Sequence, residues 1–175
     1  MKLTLIATAI AGLIATSAFA GGHSTMNFNR IASFPVVENM ANGEDRGRET
    51  SSEIIAATAD GMTLVYTDSP LNVIGMIDIS NPRAPRPLGN VGVGGEPTSV
   101  AVVGQMAFVG VNTSESYVKP SGYVAVINLA TKAVVQQCDL GGQPDSIAAA
   151  KDGSFIAIAI ENERDEDLND GEIPQ

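Results

Sequence analysis

The feature that most constrains this chain is a sequence that returns. Gly94-Gly95-Glu96-Pro97-Thr98-Ser99-Val100-Ala101 reappears as Gly141-Gly142-Gln143-Pro144-Asp145-Ser146-Ile147-Ala148, a period of about 46 residues, which is the scale of one supersecondary unit in a repeat architecture. Ser52-Glu53-Ile54-Ile55-Ala56 sits at the same phase one period earlier and runs into Asp60-Gly61, as the last copy runs into Asp152-Gly153. A second element recurs as Val73–Ser80 (VIGMIDIS) and Tyr123–Ala130 (YVAVINLA). A chain that repeats in this way stacks like units, so each unit is read first.

Each unit reads as four short strands. The first strand is expected at 53–58, 98–103 and 145–149, and the second at 63–67, 106–111 and 155–160. The third is expected at 73–79 and 123–129, and the fourth at 86–91 and 133–139. Asp-Gly between first and second strands is a hairpin signal. After Ala20 no stretch sustains a 3.6-residue apolar period, so helix is nearly absent. Four strands per period predict an all-β fold: a partial β-propeller of about two and a half four-stranded blades, following an N-terminal signal peptide. The alternative is a β-sandwich with fortuitous similarity. The expected divisions are signal peptide 1–20, an N-terminal segment with a closing strand 21–52, blade one 53–93, blade two 94–140, and the start of a third blade with an acidic loop 141–175. Within the second division, Asn27–Val37 (NFNRIASFPVV) is expected to be an outer strand. A ring needs about four blades or more to close, so the chain is expected to be the front part of a longer protein, poorly stable alone.

Lys2, the apolar run Leu3–Ala15 and the small-x-small site Ala18-Phe19-Ala20 read as a secretory signal cleaved after Ala20. The run is too short for a membrane anchor. A periplasmic or secreted protein with no membrane span after cleavage is expected. A single Cys excludes a disulfide scaffold, and the lone Cys138 is then expected to be a small buried apolar residue rather than a free reactive thiol. At 44% apolar the chain can build a core, and its net charge of −10 argues against nucleic acid, which needs a basic surface.

In up-and-down blades, the second-to-third-strand loops and the connections between blades share one edge. That edge collects 42–51, 90–97 and 140–144, with 68–72, 112–122 and 161–175. These loops are long and polar, whereas the opposite turns are tight, and function concentrates on long loops held by a rigid scaffold. Its acidic stretch alternates oxygen-bearing side chains in the manner of a Ca²⁺ loop, with Glu161, Glu163, Asp165 and Asp167 as candidate ligands, although the EF-hand register fails at Gly171. Arg46 and Arg48 are candidates for holding a phosphate or carboxylate; the plainer reading is an exposed mixed-charge loop. Gly21-Gly22-His23, freed by cleavage after Ala20, could wrap Cu²⁺ or Ni²⁺ through its amine, backbone nitrogens and imidazole. Ser116-Tyr117-Val118-Lys119 matches a Ser-x-x-Lys pattern but lacks the helix that pattern needs. Asn112-Thr113-Ser114 is a glycosylation sequon, and Gly92-Val93-Gly94-Gly95 precedes a strand, which excludes a dinucleotide loop.

Ile77-Asp78-Ile79-Ser80-Asn81-Pro82-Arg83-Ala84-Pro85 resembles the repeat of secreted bacterial propellers of the LVIVD or choice-of-anchor type. Arg30–Val37, Asp60–Pro70, Glu96–Val102, Val109–Tyr117 and Gly141–Gln175, the last with AIENERDEDLNDGEIPQ, resemble the N-terminal part of the bacterial "esterase-like activity of phytase" family, often labelled alkaline phosphatase. That resemblance implies an exported propeller, metal-assisted hydrolysis of a small phosphoester or ester when the ring is complete, and calcium; the fragment itself is expected to be inactive. The residues themselves favour the alternative, a non-catalytic binding propeller that presents its loops to a protein, glycan or surface.

Overall fold

Short apolar runs bounded by Gly, Asn and Asp become strands in the computed structural model, which describes residues 29–165. Blade one is β1 (Ile55–Ala57), β2 (Thr63–Asp68), β3 (Val73–Asp78) and β4 (Arg86–Gly92), hydrogen-bonded in that order. Blade two is β5 (Glu96–Val103), β6 (Met106–Asn112), β7 (Gly122–Asn128) and β8 (Ala133–Asp139), again in sequence order. β9 (Pro144–Ala149) and β10 (Ile156–Ile160) form a two-stranded sheet at the same phase as the first two strands of each blade. All neighbouring pairs are antiparallel. The fold is an all-β partial propeller, and every expected blade strand lies within about two residues of an observed one.

The tight edge is built as its sequence demands. Asp60 Oδ1 accepts from Thr58 Oγ1 at 2.6 Å and Met62 N at 2.9 Å, with Gly61 at φ +68°. Asp152 Oδ1 accepts from Ser154 Oγ at 2.6 Å and Ser154 N at 3.0 Å. On the same edge Asp78 accepts from Ser80 and pairs with Arg86 at 2.6 Å. Hydrogen bonds from the Ser80 hydroxyl and N–H, then from Arg86, hold the Asp78 carboxyl down to about 2.

Packing between blades supplies the core. Val65, Ile74, Met76, Val91 and Val93 of blade one and its exit pack against Val100, Ala107, Val109, Val111, Ala125 and Ile127 of blade two. Burying side chains of the Val, Ile and Met class stabilises by about 1.5–3 kcal/mol each. The other face of blade two carries a smaller cluster, Ala101, Val124 and Ile147, with Phe108, Cys138 and Ile158 against it. Val100 and Ala101 therefore serve opposite faces of β5, as period-two geometry requires. Cys138 is half-buried beside that cluster, with Gln136 Nε2 at 3.2 Å from its sulfur.

The expected outer strand at Asn27–Val37 does not form over its described part, 29–37. Those residues run without a ladder into a 3-10 helix, Val36–Asn39. Pro35 has no N–H to offer a ladder, and one side chain does the edge's work instead. β4 carries a bulge at Leu88, where Met76 pairs with Gly89 but Ile77 pairs with Pro87. Asn39 Oδ1 accepts both bulge N–H groups, Leu88 N at 3.1 Å and Gly89 N at 2.9 Å, while its Nδ2 donates to Tyr66 Oη at 2.9 Å. The expected signal peptide, the Gly21-Gly22-His23 site and Asp167 lie outside the described residues. Among the described residues, no helix is long and apolar enough to cross a membrane.

Candidate functional site

A polar cleft of 330 Å³ opens on the loop edge, lined by Glu96, Asn112, Ser114, Ser116, Tyr117, Gln143 and Glu163. Three segments distant in sequence supply it, and each is placed by a local device.

The first is the β6–β7 connection. Thr113 N donates to Ser121 O at 3.0 Å, Glu115 N to Lys119 O at 3.2 Å and Lys119 N to Ser116 O at 3.0 Å. The loop is thus a small hairpin with Tyr117 in its tip, and the Tyr117 ring is 48% exposed. Ser114 locks its base, Oγ donating to Ser121 O at 3.2 Å and accepting from Ser121 N at 3.0 Å. As expected, Ser116 and Lys119 share no helix. Lys119 Nζ instead lies 3.1 Å from Glu115 Oε2, so the Ser-x-x-Lys pattern makes no acyl-transfer pair.

The second segment is the repeated Gly-Gly-x-Pro connection, whose x residues, Glu96 and Gln143, both line the cleft. The preceding Gly lets the backbone come close. A Cβ on Gly95 would lie 2.7 Å from Asn112 O, and one on Gly142 would lie 2.7 Å from Asn162 Oδ1. The following Pro97 and Pro144 are fully buried anchors. Thr98 Oγ1 donates to Pro144 O at 2.8 Å and Ser69 Oγ to Pro97 O at 3.2 Å, tying each blade to the next at the same repeat position.

The third segment leaves β10. Glu161 N donates to Gln143 O at 3.0 Å, and Asn162 Oδ1 accepts from Gln143 N at 2.9 Å. This turn carries Glu163 to the cleft.

The lining divides into engaged and unengaged groups. Asn112 Nδ2 donates to Glu96 Oε2 at 3.1 Å and Asn112 Oδ1 accepts from Ser114 N at 2.9 Å, so the sequon asparagine is committed to the cleft wall. Among the described residues, the side chains of Ser116, Tyr117, Gln143 and Glu163 find no hydrogen-bond partner. No Lys or Arg among the described residues lines the cleft.

Of the expected ligands, Glu163 is at the cleft, Glu161 is exposed and Asp165 is half-buried with an interaction of its own. Among the described residues, no group of three or more His, Cys, Asp or Glu side chains is placed to hold a metal ion. Arg46 lies elsewhere on the same edge, 3.3 Å from Glu38 with both groups about half exposed. Arg48 sits near enough to Asp68 to favour its ionised form. Asp68 itself is buried at the end of β2, accepting from Ser51 N at 3.2 Å and Leu71 N at 3.3 Å. Burial pushes its carboxyl above the usual range, with the neighbouring Glu53 charge adding to the rise and the two N–H groups opposing it.

Sequence reasoning brought the right loops to one edge but weighed Ser116 only as part of a Ser-x-x-Lys pattern and gave Tyr117, Glu96 and Gln143 no role. The signal for the last two was present, because both stand at the variable position of the repeated Gly-Gly-x-Pro.

The choice-of-anchor I domain profile matches residues 53–174. Among solved structures, hydrazine synthase from Kuenenia stuttgartiensis is similar over 63% of this chain and 30% of that one, at 18% identity and a TM-score of 0.53. At that identity the likeness is one of fold, and this chain spans under a third of that protein's length. No curated protein sequence matches.

Proposed function

This chain belongs to the choice-of-anchor I domain family, and from that premise we propose that it is a non-catalytic binding module of an exported protein, presenting its loop edge to a surface or macromolecular ligand. The observation that carries this reading is the cleft: four polar side chains from three segments, held by a locked hairpin and two close-packed glycines, with no hydrogen-bond partner among the described residues. Specific sites are clefts with a few placed polar groups, and here the placement is fixed by the hairpin and the glycines rather than by the side chains bonding one another. Export is supported by the N-terminal signal pattern of Met1–Ala20.

The test is retention of the purified chain on an envelope fraction of the source cells, against a variant in which Ser114–Ser121 is replaced by a short Asn-Gly turn. The wild type is expected to be retained and the variant lost, with both folded by circular dichroism. Equal retention of the two, or none of either, would overturn the reading.

The hydrolase reading rests on the phytase-like resemblance. In it Glu161, Glu163, Asp165 and Asp167 hold Ca²⁺, and Arg46 and Arg48 meet the phosphate. Ca²⁺-dependent turnover of a phosphomonoester, abolished by chelator, is the result that would restore it.

A further inference from the structure

The cleft's unengaged groups say what chemistry it accepts. Gln143 offers an amide that both donates and accepts, Ser116 and Tyr117 offer hydroxyls that do the same, and Glu163 only accepts. A phosphate or carboxylate presents acceptors only and would face Glu96 and Glu163 with no cation in the wall to hold it. An ammonium or guanidinium presents donors only, and would leave the Gln143 N–H groups without an acceptor. Glu96 already accepts from Asn112 through one of its oxygens. A ligand rich in hydroxyls donates and accepts at every position, and so pairs with the whole set. Tyr117 adds an amphipathic ring, half exposed at the hairpin tip, of the kind that covers an apolar face while its hydroxyl stays wet.

We infer that this cleft is a saccharide subsite, taking a neutral sugar unit of a glycan between the Tyr117 ring and the Gln143–Glu163 wall. The inference rests on the binding reading above and specifies its ligand. Glu163 and Gln143 set which hydroxyls are accepted, Tyr117 supplies stacking area, and Glu96 with Asn112 forms a pre-organised floor.

The chain contains three tyrosines, which makes the test direct. Tyr66 is buried under Asn39, and the Tyr123 hydroxyl donates to Val93 O. Ring signals of tyrosine-labelled full-length chain are followed by NMR during titration with neutral glucose and N-acetylglucosamine tetramers, with arginine amide and inorganic phosphate as the other ligand classes. The expected result is a saturable shift of the Tyr117 signal with at least one tetramer, little changed by added salt. Tyr117→Ala and Gln143→Ala should each weaken binding about tenfold or more, read from backbone amides, and Glu163→Gln should weaken it less. A Tyr117 shift with arginine amide or phosphate and not with sugars would overturn the inference, as would no shift with any. If the envelope is retained through the hairpin while sugars leave Tyr117 unmoved, the module reading stands and the saccharide assignment falls. If sugars bind while the envelope is not retained, the assignment stands and the module reading falls.

Discussion

In blade one the chain leaves β2 at Asp68 and turns back at once through 69–72, with Asn72 at φ +57°. In blade two it leaves β6 at the equivalent Asn112 and makes a nine-residue excursion, 113–121, before β7. Both side chains cap their loop by accepting a backbone N–H, from Leu71 and from Ser114. The blade-one corner is buried and closed by Ser51 and Glu53, whereas the blade-two corner is open and becomes the cleft wall. Strand ends in a repeat array are set by the scaffold, and what stands on them is set by loop length. The ladders of the two blades match, so a hairpin can be inserted at one corner without disturbing the other.

The same comparison runs through the sheet interior with sizes exchanged. Tyr66 of β2 stands opposite Gly75 of β3, while Gly110 of β6 stands opposite Val124 of β7. The Tyr66 ring lies over Gly75, and Pro144 from the next unit lies against Gly110 and Gly122. The largest effects should come from filling these spaces. Gly75→Ala and Gly122→Ala would each drive a methyl into occupied volume, and each should cost about 3 kcal/mol in denaturant unfolding. The two should differ in rescue. Tyr66→Leu should recover much of the Gly75→Ala loss, since the obstruction is a side chain. Pro144→Ala should recover little at Gly122, because the carbonyls of Val111 and Gly142 would still lie 2.7 and 2.8 Å from the new Cβ. Equal rescue would break the comparison.

A smaller effect is expected at the β4 edge. Asn39→Ala removes the acceptor of Leu88 N and Gly89 N and the donor to Tyr66 Oη, and should cost about 2 kcal/mol. Blade two has its own bulge at Val135, where Val126 pairs with Gln136 and Ile127 with Val134. Amide exchange in Asn39→Ala should therefore quicken at Leu88 and Gly89 and stay unchanged around Val135. Uniform quickening would show that the two blades unfold as one unit.

The smallest effect is at the closed corner. Because burial raises the Asp68 carboxyl, the stabilising protonated form is fully present below the unfolded value, near 3.8, and is lost as pH rises through the higher folded value. Asp68→Asn keeps the acceptor oxygen for Ser51 and Leu71 without the charge. It should match or exceed wild-type stability at pH 7, with the difference shrinking as pH falls toward 4. A variant that loses stability at pH 7 and not at pH 4 would show that the ionised form, helped by Arg48, is the stabilising one.

Much of the ladder pattern was legible because β structure announces itself locally. Val73–Ile79 is a short, nearly continuous apolar run of strand length, as a strand covered on both faces must be, and Asp60-Gly61 and Asp152-Gly153 carry turn chemistry in their own side chains. The 29–37 segment misled for a long-range reason. Its apolar residues look like a strand, but β4's bulge offers two adjacent N–H groups that one asparagine can satisfy, and Asn39 is 49 and 50 residues away from them. The candidate site was half legible. Topology sorted its loops to one edge, and carboxylate density pointed to Glu161, Glu163, Asp165 and Asp167, of which the cleft took Glu163 while it drew its other walls from Tyr117, Glu96 and Gln143.

By itself the sequence determined the strand phase, the turns and the stacking of like units, because side-chain alternation, positive-φ glycines and Asp caps act within a few residues. Only the tertiary structure decided which polar groups meet and which are left without partners. Those relations arise where the Gly-Gly-x-Pro connections and the β6–β7 hairpin converge, and they depend on close approaches between segments that no local pattern encodes.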